Sequence, residues 1–266
     1  MLRIATRRSA LARAQAAAVG QLLHQLTARP FELVALAATG DLHPDRAVGE
    51  FDAKGLFVDT LRQAVLDGDC AVAVHSYKDR PTESVPGLTI AAVPPREDPR
   101  DVLVTRDAHT LATLRSTAAV GTSSARRRLQ LLAARPDLQV LPVRGNLDSR
   151  LRKVAEGELD AVVVALAGLR RLYGRQTPPR PPPAAPPSPG LSLPAGLQAA
   201  VLEPAECLPA PAQGALAVEC RIDDDETLAL CGPIDDPSTR RQVGAERAFL
   251  TRLGGGCLAP IGALCT

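Results

Sequence analysis

The sequence has few aromatic residues and no tryptophan, with two tyrosines and four phenylalanines among its 266 residues. Proteins that bind single-stranded nucleic acid use aromatic side chains as stacking platforms, so this scarcity argues against that function. The charge balance agrees, because 31 basic and 29 acidic side chains leave a formal net charge of +2. Such a balance creates no strong global field that would attract nucleic acid or a membrane surface. Recognition of an anion must therefore come from locally placed charges.

Long apolar runs are also missing. No segment approaches the roughly 18–20 apolar residues that a membrane-spanning helix needs. Residues 1–15 contain arginines but no apolar core behind them, so we expect no secretory signal. We therefore expect a cytoplasmic protein that binds neither membranes nor nucleic acid.

The six cysteines lack the spacing of a metal site or a disulfide framework. They form no CxxC pair and have no histidine cluster nearby, so we predict no metal site. In a cytoplasmic protein the thiols are expected to be reduced and mostly buried as small apolar groups. Cys257 differs because it follows Gly254, Gly255 and Gly256. The glycines predict a flexible loop that leaves this thiol accessible.

Strand and helix patterns alternate along the chain, which predicts an α/β architecture, and the length is sufficient for two domains. Residues 2–5 are predicted to form a strand, followed by an alanine-rich helix over about 10–28 that Ser9 caps. A buried strand is predicted over 70–74. The alternation starts again in the second half, where a proline-rich segment over 177–194 predicts a surface insertion.

Basic and hydroxyl side chains follow three of the predicted strands. Ligands of open α/β sheets bind beyond the carboxyl ends of the strands, and helix N-termini and guanidinium groups hold carboxylates and phosphates there. Taken alone, a run of three arginines is usually a solvated helix face, and Thr-Ser-Ser before a helix is usually only a cap. Around one cleft they predict a ligand with several carboxylates or phosphates. The groups are residues 6–9 after the first strand, 122–128 after a short strand at 119–121, and 144–150 after a strand at 138–143.

Lys78 and Asp79 stand together after the predicted strand over 70–74. A carboxylate in a site for a polyanion repels the ligand unless that ligand carries N–H donors or develops positive charge at the reacting atom. The pair therefore indicates such a ligand, or else it is a structural ion pair at the end of the strand.

Eight segments together resemble the hydroxymethylbilane synthase family, also called the porphobilinogen deaminase family. They occur in the family's order and cover nearly the whole chain outside the proline-rich segment. The segments are LRIATRRSALARAQ, KGLFVDTL, AVHSYKDRPT, VGTSSARRR, VRGNLDSRL, VALAGLRRL, QGALAVECR and AERAFLTRLGGGCLAPIG.

The resemblance implies an α/β fold with two periplasmic-binding-protein-like lobes containing mixed sheets, and a small, shortened C-terminal α+β domain. It assigns residues 1–95 and 215–232 to the first lobe and 96–214 to the second. Residues 233–266 form a partial domain for cofactor attachment. Because the chain ends soon after Cys257, we expect most of that domain to be missing. A truncated, inactive synthase is therefore one alternative.

The resemblance also implies a reaction. A monomeric transferase of tetrapyrrole biosynthesis joins four porphobilinogen molecules with loss of ammonia and releases linear hydroxymethylbilane. A dipyrromethane cofactor, attached to Cys257 through a thioether, primes the chain, and no metal takes part. Asp79 matches the family's catalytic aspartate, which would accept pyrrole N–H groups, stabilise positive charge and shuttle protons.

The same matching assigns the binding residues. Lys54 lies where the family's mobile loop meets the KGLF segment. The residues expected to hold the cofactor are Lys78, Thr122, Ser123, Arg126 and Arg127, with Gln213 and Gly214 lining the site beside it. Those expected to hold the substrate and the growing chain are Arg7, Ser9, Arg144, Arg150 and Arg171.

Two residues depart from the family's usual pattern: Asp59 replaces a lysine, and Ala212 replaces a glycine before Gln213. A protein of another class remains as an alternative, namely a non-catalytic two-lobed binding module for a polycarboxylate ligand. It would need the anion-binding residues but neither the Lys78–Asp79 pair nor an exposed Cys257, and it would normally carry an export signal.

Overall fold

The computed structural model describes residues 1–37, 59–174, 191–194, 196–256 and 259–266. Residues 40–52, whose polar and glycine-containing sequence predicts a loop, lie outside these residues. So do Lys54, Cys257 and most of the proline-rich segment. Among the described residues, no helix has both the length and the apolar character needed to cross a membrane.

The described elements alternate between strands and helices as predicted. The strands are β1 (Leu2–Arg7), β2 (Phe31–Leu36), β3 (Val72–Ser76), β4 (Leu88–Ala92), β5 (Asp101–Thr105), β6 (Ala119–Gly121), β7 (Gln139–Leu141), β8 (Ala161–Ala165), β9 (Gln198–Leu202) and β10 (Leu216–Arg221). The α-helices are α1 (Ala10–Thr27), α2 (Asp59–Leu66), α3 (Ala125–Ala134), α4 (Leu147–Ala155), α5 (Leu166–Tyr173), α6 (Asp225–Cys231) and α7 (Pro237–Arg252).

Two five-stranded mixed sheets have the same strand arrangement. The first has the order β2-β1-β3-β10-β4, with β1 parallel to β2 and β3 and with β10 antiparallel to β3 and β4. The second has the order β7-β6-β8-β5-β9, with β6 parallel to β7 and β8 and with β5 antiparallel to β8 and β9. The structure therefore repeats an arrangement for which the sequence shows no internal repeat.

The chain divides into two compact units. One comprises Met1–Glu97, Ala215–Cys257 and Cys265–Thr266, and the other Asp98–Gly214 and Leu258–Leu264. Each sheet lies within one unit and has apolar clusters on both faces. Strand β8 lies between β6 and β5 and is buried on both faces, which explains its nearly continuous apolar run. The separate C-terminal domain over 233–266 stays a prediction.

Local signals account for several helix boundaries. Ser9 caps α1 by accepting a hydrogen bond from Ala12 N at 3.3 Å, and the helix ends at Ala28, whose φ of 56° is left-handed. Asp236 caps α7 by accepting a bond from Thr239 N at 2.6 Å, just before Pro237 at the first helical position. The sequence gives no clear signal for strand β9 or helix α6, because short segments carry little periodicity of their own.

Candidate active site

In the first unit, the predicted site residues gather at one edge of the sheet. Strands β1 and β3 are parallel neighbours, with Ile4 beside Val72, so their carboxyl ends lie together. Arg7 ends β1 and is half-buried, and Ser9, two residues later, caps α1. The sheet therefore brings these two residues to the edge where β3 leads into Lys78 and Asp79.

Lys78 and Asp79 lie on a short 3-10 turn, Tyr77–Asp79, directly after β3. The turn is fixed to its surroundings, because Tyr77 N donates to Ala215 O at 3.0 Å. One residue earlier, Gln15 Nε2 of α1 donates to Ser76 Oγ at 2.9 Å. Asp79 is exposed and Lys78 is half-buried. The carboxylate is therefore accessible to a ligand at the edge of the sheet.

A buried ionic cluster lies beside this turn. Glu219 of β10 is fully buried, and its carboxylate contacts Arg62 Nε at 3.0 Å, Arg80 Nη2 at 2.7 Å and His75 Nε2 at 3.1 Å. Burial alone would raise the pKa of Glu219, but the contact with His75 and the charges of the two arginines outweigh it and lower that pKa to about 2. Glu219 is therefore a permanent anion near neutral pH.

In the second unit, the predicted cofactor residues surround the start of α3. Strand β6 ends at Gly121, and Thr122 N donates to Leu141 O at 2.8 Å. Ser123 Oγ is engaged with the backbone, since it donates to Val143 O at 2.6 Å. Ser124 caps the helix through Arg127 N. The amino terminus of α3 therefore presents the hydroxyl-bearing segment that the sequence predicts.

Arg126 and Arg127 are buried, although a run of three arginines is usually a solvated helix face. Arg126 Nη2 and Arg127 Nη2 each lie 2.7 Å from a different oxygen of the fully buried Asp101. Arg126 also donates to Leu208 O, and Arg127 Nη1 donates to Val163 O at 3.0 Å. The two guanidinium groups and this one carboxylate sum to a charge of +1, which favours an anionic ligand.

Gln213 belongs to the same cluster. Its Nε2 donates to Asp101 Oδ1 at 2.8 Å and to Pro99 O at 2.7 Å. The Cys207 thiol also faces Asp101, with Sγ 3.5 Å from Oδ2, and burial together with the charge of Asp101 raises the pKa of that thiol to about 11. A protonated thiol adds no negative charge, so the cluster keeps its positive sum at neutral pH.

The three remaining arginines occupy different positions in the second unit. Arg144 is exposed in the segment after β7. Arg150 Nε donates to Gly145 O at 2.9 Å, and Arg171 Nη2 of α5 donates to Gly214 O at 2.7 Å. Gly214 has a φ of 89°, a conformation that favours glycine. Arg171 and Gly214, which were predicted separately, are thus in direct contact.

Sequence reasoning missed the buried acids Asp101 and Glu219. Each is a single acidic residue in a strand whose other buried members are mostly apolar. An acid at such a position must have a charged or hydrogen-bonding partner. That signal is readable from the sequence, although it does not identify the partners.

Comparisons with known proteins agree along most of the chain. Residues 2–229 match the family described as "Porphobilinogen deaminase, dipyromethane cofactor binding domain", and residues 241–266 match "Porphobilinogen deaminase, C-terminal domain". A porphobilinogen deaminase of Acidothermus cellulolyticus is 46% identical over 268 residues, covering 99% of this chain and 75% of that protein. One of Nocardia farcinica is 47% identical over 265 residues, covering 99% and 69%.

A solved structure supports the fold alone. It is a periplasmic substrate-binding protein of an ABC transporter from Coxiella burnetii, with 12% identity and a TM-score of 0.50 over 93% of this chain and 98% of that one. The predicted periplasmic-binding-protein-like lobes with mixed sheets are confirmed. The family profiles and the two bacterial relatives together establish that the chain belongs to the porphobilinogen deaminase family.

Proposed function

We propose that this chain is a hydroxymethylbilane synthase, a transferase of tetrapyrrole biosynthesis that joins four porphobilinogen molecules head to tail. In each joining step the C–N bond of the substrate's aminomethyl group breaks and ammonia leaves. A C–C bond then forms to the free ring carbon of the neighbouring pyrrole, which loses its proton. The observation that supports this proposal is the position of Asp79 in a chain of this family. Asp79 is exposed, follows Lys78, and lies at the sheet edge where β1 and β3 end.

Asp79 is the catalytic residue of this proposal. Loss of ammonia leaves the substrate's methylene carbon electron-poor, with positive charge shared by the pyrrole nitrogen. A carboxylate that accepts the pyrrole N–H stabilises this charge in the transition state, where the stabilisation accelerates the reaction. The same carboxylate can receive the proton released from the ring carbon. Because Asp79 is exposed at the sheet edge, it is accessible for both roles.

The residues present fit a dipyrromethane cofactor, whose acetate and propionate groups are anionic. The cluster of Arg126, Arg127 and Asp101 sums to +1, and it lies at the amino terminus of α3, where a helix favours negative charge. When bound, the cofactor supplies the pyrrole to which the first substrate is joined. The residues that would hold its carboxylates are Lys78, Thr122, Ser123, Arg126 and Arg127; Gln213 and Gly214 would line the site, and Cys257 would form the thioether.

The substrate and the growing chain bring further carboxylates. Guanidinium groups hold carboxylates through paired hydrogen bonds, and they remain charged at any working pH. Arg7, Arg144, Arg150 and Arg171 take this role, with the Ser9 hydroxyl as an additional donor. We expect the enzyme to be cytoplasmic and monomeric, and light scattering of the purified protein tests the monomeric state.

The test combines intact mass with turnover of porphobilinogen. The purified protein should carry two deaminated porphobilinogen units on Cys257, and Cys257→Ser should carry none. Asp79→Asn should retain this added mass but lose about 100-fold or more in kcat, because general acid–base and electrostatic contributions of this size depend on the carboxylate. Asp67→Asn, an exposed carboxyl at the end of α2, is the matched control and should turn over normally.

Three results would contradict the proposal. Near-normal turnover in Asp79→Asn would remove this residue from the mechanism. An added mass that survives in Cys257→Ser would show that another thiol carries the cofactor. Binding of porphobilinogen by the wild-type protein without ammonia release, after supply of the linear tetrapyrrole, would favour the binding module or the inactive synthase.

A further inference from the structure

The turn that carries Asp79 is held from one side by Arg247, a buried residue of α7. Its Nη1 donates to Tyr77 O at 3.1 Å and to Arg80 O at 3.0 Å, and its Nη2 donates to Pro81 O at 2.7 Å. The guanidinium carbon also lies 4.6 Å from the centre of the Tyr77 ring. Arg247 therefore contacts the backbone on both sides of Asp79.

The same turn is held a second time through the side chain of Arg80. Arg80 Nη2 and Nε donate to Glu219 Oε1 at 2.7 and 3.1 Å. Glu219 is itself fixed, because Arg62 Nε donates to its other oxygen at 3.0 Å. Arg80 follows Asp79 directly in the chain. An anchored Arg80 therefore restricts the backbone from which the Asp79 carboxylate projects.

We propose that Arg247 and Glu219 clamp the turn from two sides and are positioning residues for Asp79. This inference rests on the proposed function of Asp79, since neither residue touches the reacting atoms in it. Asp79 lies on the three-residue turn Tyr77–Asp79, and the backbone of that turn determines where its carboxylate is placed. Displacement of a catalytic group by about 1 Å can lower a rate about 100-fold.

The first experiment compares two arginines of the same helix. Arg247→Gln should lower kcat about 10- to 100-fold with little change in KM or in cofactor mass, and Arg247→Lys should recover part of the loss. Arg240→Gln is the matched control, because Arg240 Nη2 also donates to two backbone carbonyls, those of Ile90 and Ala91, each at 3.3 Å. Its kcat should remain within about twofold of the wild type.

A double-mutant cycle separates positioning from general destabilisation. If Arg247 acts only through Asp79, then Arg247→Gln should lower the residual kcat of Asp79→Asn by less than about twofold. A merely structural residue would lower it as much in both backgrounds. Equal losses in the two backgrounds would overturn the proposal, and so would a loss of kcat in Arg240→Gln as large as that in Arg247→Gln.

The Glu219 side of the clamp is tested without removing the buried anion. Arg80→Met deletes the hydrogen bonds to Glu219 while Arg62 and His75 still contact that carboxylate. Its kcat should also fall about 10-fold or more, again with less than a twofold effect in the Asp79→Asn background. Unchanged kcat in Arg80→Met and in Arg247→Lys would overturn the clamp even if Arg247→Gln fails to fold. Unchanged kcat in Asp79→Asn would instead overturn the proposed function.

Discussion

Acid should destabilise the first unit through one buried carboxylate, that of Glu219. Burial disfavours its ionised form, but the contacts with His75, Arg62 and Arg80 outweigh burial and hold its pKa at about 2, below an ordinary value of 4.5. A carboxyl group whose pKa is lower in the folded chain than in the unfolded chain stabilises the fold at pH values above its pKa in the unfolded chain. That stabilisation is lost as the pH falls from 4.5 toward about 2.

The size of the effect follows from the two pKa values. Ionised Glu219 contributes about 3 kcal/mol to the free energy of unfolding at pH 6, and about 1 kcal/mol at pH 3. The side chain is fully buried, so solvent screens its contacts little. A Glu219→Gln variant cannot ionise at this position. When the pH falls from 6 to 3, the free energy of unfolding of the variant should therefore decrease by about 2 kcal/mol less than that of the wild-type protein.

Urea unfolding followed by circular dichroism at several pH values between 6 and 3 measures this difference. The variant will be less stable at neutral pH, so the informative quantity is the slope of stability against pH. Asp137→Asn is the control, since a hydrogen bond from Arg135 lowers the pKa of Asp137 to about 2 at a side chain that is 35% exposed. Solvent screening should make its slope change much smaller. Parallel slopes for wild type and Glu219→Gln would refute the reasoning.

Two further predictions concern backbone conformation and close packing, each measured as a free energy of unfolding in urea. Ala212 has a φ of 61°, a left-handed conformation that glycine adopts more easily, so Ala212→Gly should stabilise the protein by about 1 kcal/mol. The control, Ala210→Gly, should destabilise it. Equal effects of the two substitutions would contradict this account. A Cβ on Gly20 would lie 2.4 Å from the ring of Phe31, so Gly20→Ala should cost about 1–3 kcal/mol. A Cβ on Gly244, in α7, would have no atom within 4 Å, so Gly244→Ala should stabilise the protein by up to about 1 kcal/mol. Changes of the same sign in Gly20→Ala and Gly244→Ala would contradict the packing argument.

The local arrangement of the candidate site could be predicted in part, because some of its residues are close together in the chain. Lys78 and Asp79 are adjacent, and Ser124 caps the helix that carries Arg126 and Arg127. The partners of these groups could not be predicted in the same way. The three-arginine segment was expected to face a ligand with its charges available, whereas Arg126 and Arg127 both contact Asp101.

The sequence by itself determined the local elements and the family. The Ser9 cap and the helical periodicity that follows it are sufficient to predict α1, because capping and periodicity depend on residues a few positions apart. The motifs that match the family are likewise short and contiguous.

Only the tertiary structure decided which strands are neighbours and which charges meet. Strand β10 lies between β3 and β4, so Glu219 reaches Arg62 and Arg80 across 157 and 139 positions of sequence. The same insertion makes the order of the first sheet match that of the second. Which distant strands become neighbours depends on the burial of whole strand faces and on contacts between buried charges. Both involve residues far apart in the chain, so no short stretch of sequence is sufficient to predict them.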